Sequence, residues 1–336
     1  MNRVGIKEVA KMAGVSTATV SHVINNTRFV SEETKAKVLH AMKTLDYRPN
    51  LAAQSLRNQR SNTIGLIVPT LPADTSNFFF MMVAQGIQQT LKKNGYFLLH
   101  STNSTEGIEE EIEQIKLFNS KLIDGLIIAS VSDDVSYLKD LVGDKYPVVF
   151  IDRKPKGIKG DCILADGFGG AYQATRTLIE KGHRKIGLIT GSLGISTSRE
   201  RFEGYSKALR DHDITYSDDR VVIASTPSFD SGYESAKKLM SSQDVTALFI
   251  ANNVLTMGAM KYLQENQVKI PDEVAVIGFD DYDWTRITAP PLTVIQQPSY
   301  EIGVKAAEIM LKKISKKNAK NKEYRLPTKL IMRQSC

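Results

Sequence analysis

Apolar residues recur at helical spacing from the start of the chain. Ile6, Val9, Ala10 and Ala13 share one face, the three- and four-residue recurrence of an amphipathic helix. Gly14-Val15 interrupts it, and Ser16 caps a second helix whose apolar stripe is Val20, Val23 and Ile24. Thr17, Ala18, Ser21 and His22 point elsewhere. Gly14 suits the turn because glycine accepts positive φ without steric cost, and small Ala10 suits a close helix crossing. After the polar loop Asn25 to Val30, Ser31-Glu32-Glu33-Thr34 opens a third helix with acids in its first turn, where the helix dipole favours them. Val38, Leu39, Met42 and Leu45 give that helix its apolar face. Tyr47-Arg48-Pro49-Asn50 stops it, and Asn50 caps a short stretch, LAAQSLRN. Two short helices joined by a tight turn containing glycine form a helix-turn-helix unit, which calls for DNA.

From Thr63 the pattern changes to apolar strands alternating with amphipathic helices. Strands are predicted at 63–68, 96–101, 124–130 and 147–152, with helices at about 79–94, 107–120 and 133–142. The scheme restarts after Asp166, with strands at 185–190, 221–224, 247–251 and 274–279. Helices at about 168–181, 198–212, 230–241 and 254–266 separate them. Continuous apolar strands between helices indicate parallel sheets covered on both faces. Two such halves in succession predict two doubly wound lobes facing a cleft. A last helix, about 300–314, and the strand RLPTKLIM (325–332) close the chain, separated by the polar, basic loop 312–323.

Length and charge refine this picture. A chain of 336 residues exceeds one small core and predicts two or three domains. Residues 1–60 hold ten basic and four acidic side chains, so +6 of the chain's net +7 lies there. A basic small module on a nearly neutral large one is the footprint of a nucleic-acid reader. No apolar run reaches the roughly 18 residues of a membrane span and the N-terminus does not read as a signal peptide, so the expected location is the cytoplasm. Cys162 and Cys336 have no metal or redox spacing and read as incidental. GFGG (167–170) lacks dinucleotide-fingerprint spacing, and no Ser-His-Asp, HExxH or Walker pattern appears, so neither a catalytic centre nor a cofactor is predicted.

The stretch IKEVAKMAGVSTATVSHVINNTRFVSEETKAKVLHAMKTLDYRPNLAAQSLR closely resembles the headpiece and hinge of LacI/GalR-family transcription regulators, of the branch similar to ribose and purine repressors. The resemblance runs to the C-terminus. It implies an all-α helix-turn-helix headpiece (1–49), a hinge helix and linker (50–61), and a periplasmic-binding-protein-like α/β core (62–336). The core would divide into a first lobe (62–162 and 295–324) and a second (163–294 and 325–336), crossed by three strands. By match to the family pattern, Thr17, Ala18 and His22 read bases in the major groove, and Thr19 and Ser21 contact bases or phosphates. Ser16, Asn25 and Asn26 are placed at phosphates. Many relatives have Arg where His22 stands, so the operator is expected to differ at that base pair. Leu56 matches the leucine that wedges into the minor groove at the operator centre, with Arg57 beside it; packing of Leu56 against the lobe is the alternative.

The resemblance also places an effector between the lobes. Phe79 and Phe80 match the family's aromatic pair, with Phe78 where proline is common, and Arg201 in RFEGY matches its R-[LF]-x-G-[FWY] signature. Asp152, Asn252 and Asp280 lie at or just beyond the C-terminal ends of predicted strands, where α/β sheets bind ligands. Carboxylates, an arginine and an amide around an aromatic face suit a sugar or sugar derivative. Two departures bear on its identity: Asn253 stands where Asp often follows Asn, and Pro227 stands where an effector-stacking aromatic often stands, with Phe229 or Trp284 as substitutes. The expected protein is a homodimeric repressor of sugar-utilisation genes on a palindromic operator, with no membrane partner. The alternatives are a purine or a phosphorylated carrier protein as effector, a solute-binding protein or, on the α/β lobes alone, an enzyme.

Overall fold

The computed structural model describes residues 4–25, 28–47, 61–70, 78–103, 107–120, 123–143, 145–241, 244–316 and 320–336. They belong to two units, Met1–Ser61 and Asn62–Cys336. The predicted hinge, with Leu56 and Arg57, lies outside the described residues, as does Asn26.

In the first unit, α1 (Ile6–Ala13), α2 (Thr17–Asn25) and α3 (Glu32–Thr44) enclose a small core of Val9, Val20 and Val38, tightened by Ala10, Ala13 and Ala41. Gly14 ends α1 at φ 66°, the left-handed conformation that releases the chain into α2. Ser16 Oγ accepts the Thr19 amide at 3.0 Å, and Ser31 Oγ accepts that of Thr34 at 3.3 Å, capping α2 and α3. One expected core position is wrong: Leu39 is 50% exposed. Val38 and Ala41, three residues apart, define the inward stripe of α3, and Leu39 is turned away from it.

The second unit holds two six-stranded sheets of matching strand order. The first runs β2 (Phe97–Asn103), β1 (Thr63–Pro69), β3 (Gly125–Ile128), β4 (Val148–Ile151), β5 (Asp161–Ala165), β11 (Glu323–Leu326), all parallel. The second runs β7 (Val221–Ala224), β6 (Ile186–Gly191), β8 (Ala247–Ile250), β9 (Ala275–Phe279), β10 (Thr293–Gln296), β12 (Lys329–Ile331), with β12 alone antiparallel. Helices α4 (Phe78–Lys93), α5 (Ile108–Ser120), α6 (Leu138–Leu141) and α12 (Ser299–Ser315) belong to the first lobe. The second lobe has α7 (Gly167–Glu180), α8 (Ser196–Asp211), α9 (Phe229–Ser241), α10 (Asn253–Glu265) and α11 (Trp284–Ile287). Among the described residues no helix is long and apolar enough to cross a membrane.

The chain passes between lobes three times, after β5, after β10 and between β11 and β12. Each expected lobe boundary (162/163, 294/295 and 324/325) therefore cuts through a strand. RLPTKLIM is divided between the two sheets at Pro327, which has no amide to continue a ladder. The predicted helix 133–142 shrinks to Leu138–Leu141. Upstream of it, Ser132 Oγ takes the Asp134 amide at 3.1 Å and Asp134 takes the Ser136 amide at 3.0 Å, turning the backbone away from helix.

Glycine lets the helices of each lobe touch at the backbone. A Cβ on Gly303 of α12 would lie 2.0 Å from the Val83 carbonyl oxygen of α4, and one on Gly86 would lie 2.2 Å from that of Tyr300. Gly303→Ala must therefore push two helices apart and is expected to lower the unfolding free energy by about 1–3 kcal/mol or more. Urea denaturation followed by circular dichroism measures this; an unchanged midpoint contradicts the packing.

Candidate DNA-reading helix and interlobe cleft

Burial of Val20 fixes how α2 is turned. Ser16, Thr17 and Ala18 are exposed at its N-terminal end, while Thr19, Ser21 and His22 are half-buried. The Thr19 and Ser16 hydroxyls are paired at 2.9 Å. The turn into α2 thus presents hydroxyls and a methyl at the end of a helix whose first amides favour anions. Asn25 is the last residue of α2.

In the second unit, Phe79, Phe80, Asp152, Arg201, Asn252 and Asp280 all border one cavity of about 210 Å³ between the lobes. Asp152 and Asp280 follow β4 and β9, equivalent strands of the two sheets. The Asp152 amide donates to Ile163 O on β5, and the Asp280 amide to Ile295 O on β10. Both residues take positive φ, 65° and 75°, a conformation uncommon outside glycine that turns each strand end into the cleft.

Arg201, on α8, is buried. It donates to Ala251 O at 2.7 Å and to Gln297 Oε1 at 3.3 Å, and its guanidinium lies 3.8 Å from the centre of the Phe279 ring. Gln297 also donates to Asp280 at 2.7 Å. Burial pushes the Asp280 carboxyl up to about 6 despite the opposing pull of Arg201. Burial likewise raises Asp152, against Arg153 and Arg201, and lowers Arg201, against Asp280 and Asp152. Asn252 accepts the Leu255 amide at 3.1 Å, so its oxygen caps α10.

Phe79 and Phe80 pack edge to face, 5.1 Å apart, and are largely core, with only their margins on the cavity. Pro227 lines the opposite wall, but neither Phe229 nor Trp284 does. Trp284 instead lines a separate recess of about 600 Å³ that shares Asp280 and Gln297 with the cleft. The cleft's aromatic surface therefore comes from the first lobe alone. Arg153, Thr197, Ser198 and Gln297 also line it and were missed from the sequence. Gln297 follows β10, a strand the apolar pattern did not reveal. Arg153 adjoins Asp152, and Thr197 and Ser198 precede the Arg201 signature, which was the available signal.

Residues 5–50 match the family model of bacterial regulatory proteins of the lacI family, and residues 61–334 match that of periplasmic binding proteins and the sugar-binding domain of the LacI family. The chain belongs to the LacI family. It is 36% identical to the HTH-type transcriptional repressor PurR of Haemophilus influenzae (strain PittEE) over 98% of both chains. Its fold superposes on the lac repressor dimer bound to operator and the anti-inducer ONPF with a TM-score of 0.87, at 25% identity and 99% coverage of each chain. A LacI family regulator from Enterococcus faecium with bound ribose gives a TM-score of 0.72 at 28% identity, over 81% of this chain and 98% of that one. This LacI-family chain is a DNA-binding transcriptional regulator with a small-molecule effector domain, not an enzyme.

The charge buried at Asp280 carries a pH signature. Burial pushes its carboxyl from an ordinary 3.8 up to about 6 in the folded state. The stability this shift contributes is fully present below the unfolded value and is lost as pH rises through 6. Asp280→Asn removes that contribution. Relative to the parent, the variant is expected to gain stability between pH 4 and pH 7, by at most about 3 kcal/mol. Denaturant midpoints across that range decide it: parallel profiles for the two proteins would contradict the shift.

Proposed function

We propose that this LacI-family regulator is a repressor of sugar-utilisation genes in the cytoplasm, binding a palindromic operator as a homodimer and answering to a monosaccharide or its derivative in the interlobe cleft. The observation that carries the effector reading is the convergence of Asp152, Asp280 and Arg201 on one small cavity, with Phe79 and Phe80 at its margin. Carboxylates accept sugar hydroxyls, the guanidinium donates to them, and an aromatic edge packs against the apolar face of the ring. A volume of about 210 Å³ fits one ring better than two. The ribose bound to the Enterococcus regulator supports the same class. A purine is the second reading, favoured by kinship with repressors named PurR. The wall holding Pro227 in place of a ring weakens it.

On DNA, Thr17, Ala18 and His22 read bases, Thr19 and Ser21 bases or phosphates, and Ser16, Asn25 and Asn26 phosphates, while Leu56 and Arg57 work in the minor groove. Dimerisation has support in exposed apolar residues on edge strands of both sheets, Phe97 on β2 and Ile223 on β7, since bare apolar edges are ordinarily covered. His22→Arg is expected to change the preferred base at one symmetric operator position by about 1–3 kcal/mol. Binding measured across a randomised operator set tests this; uniform weakening would instead place His22 at phosphate.

For the effector, a thermal-shift screen of monosaccharides and nucleobases, followed by operator gel shifts with the hits, separates the two readings. Arg201→Ala is expected to abolish the thermal shift and the effect of ligand on operator binding, while leaving operator affinity in the absence of ligand nearly unchanged. A retained ligand response would remove Arg201 from the binding role.

A further inference from the structure

Helix α8 begins without a cap of its own. The residue before it is Ile195, in extended conformation, whose side chain accepts no hydrogen bond. A helix start leaves its first amides without partners, and a buried one needs an acceptor from elsewhere. Here the acceptor comes from the other lobe. Asp133, in the loop after β3 and 4% exposed, accepts the Ser196 amide at 3.1 Å and the Ser196 hydroxyl at 2.9 Å through one oxygen. Its other oxygen takes Arg199 at 3.1 Å, with Lys156 of its own lobe at 3.9 Å. The Lys154 amide donates to Ser196 Oγ at 3.0 Å, a fourth bond across the lobes. Farther along α8, Glu200 is held by both terminal nitrogens of Arg325 on β11, at 2.9 and 2.6 Å.

The first amide of α8, that of Ser196, thus finds its acceptor on the opposite lobe. Separating the lobes would exchange Asp133's bonds to Ser196 and Arg199 for bonds to water, a modest net cost per bond that together favours the closed arrangement. Neither Asp133 nor Ser196 borders the effector cavity, although Ile195 and Thr197, which flank Ser196, do.

We propose that Asp133 is a closure latch: by capping α8 from the opposite lobe it sets the balance between closed and open lobes before any effector binds. The latch acts beside the ligand site rather than within it. It would tune ligand affinity through the fraction of molecules already closed, since apparent affinity falls in proportion to the competent population.

The test needs no effector, so it is independent of the ligand reading. Nitroxide labels at Lys139→Cys on α6 and Glu203→Cys on α8, in a Cys336→Ser background of the full chain, report lobe separation by pulsed EPR, with labelled subunits diluted into unlabelled ones. Cys162 stays unlabelled because it is buried and its thiol is pushed up to about 12. Glu203 lies two turns into α8, beyond any fraying of its first turn. The parent is expected to show one distance population, and Asp133→Ala a second, longer one. Arg199→Ala and Ser196→Ala, each removing one arm, are expected to give smaller amounts of it, and adding Arg199→Ala to Asp133→Ala little more. The parent distance in a natively folded Asp133→Ala overturns the latch. If that variant does not fold, the longer population in either single-arm variant supports it, and the parent distance in both overturns it.

Discussion

The buried guanidinium of Arg201 is the constraint on which the cleft depends. A positive charge taken out of water costs several kcal/mol unless it is paired and hydrogen-bonded. The fold meets that demand from several elements at once: the Ala251 carbonyl after β8, Gln297 after β10, the Phe279 ring of β9, and the carboxylates of Asp280 and Asp152. Because Asp152 belongs to the first lobe, the charge of the second lobe is part of the contact between them. Asp280, raised to about 6, sits near the point where it can give up its own charge. A ligand with hydroxyls would find donors and acceptors already oriented, with much of the desolvation already met by the fold.

The lobes that frame this site are stiff for a reason visible in the helix contacts. In the first, α4 and α12 meet through Gly86 and Gly303; in the second, α9 and α10 meet through Gly232 and Gly258, where an added Cβ would fall 2.3 and 1.9 Å from facing backbone oxygens. Backbone-to-backbone contact leaves little room for sliding, so change between lobes is directed to the three crossings and to the side chains spanning the cleft. Those side chains are charged and specific: Asp133 with Ser196 and Arg199, and Glu200 with Arg325. Polar contacts of this kind are lost with little apolar area exposed, which suits a surface that opens and closes.

The DNA-reading unit works under a different economy. Among the described residues its core is six buried apolar residues, three of them alanine, so its helices cross closely and its exposed face is set by a few positions. Val20 turns α2 and thereby presents Thr17 and Ala18. The net charge of +6 over residues 1–60 supplies attraction to phosphate without sequence preference.

Much of this was legible in the chain. Helical spacing, the Gly14 turn and the Ser16 and Ser31 caps are local signals, and they marked the three-helix unit. Apolar runs marked most core strands, and placing Asp152, Asn252 and Asp280 at strand ends was enough to put them at one cleft. Strand β10 was missed, and helix 133–142 was overextended because hydroxyl and carboxylate side chains took its amides. What the sequence could not decide was pairing at a distance. Splitting 325–332 between two sheets, turning Leu39 outward, keeping Phe229 and Trp284 off the cavity and capping α8 with Asp133 all depend on partners tens to hundreds of residues away. Periodicity records which face of an element is buried; which element covers that face is settled only when the whole chain has packed.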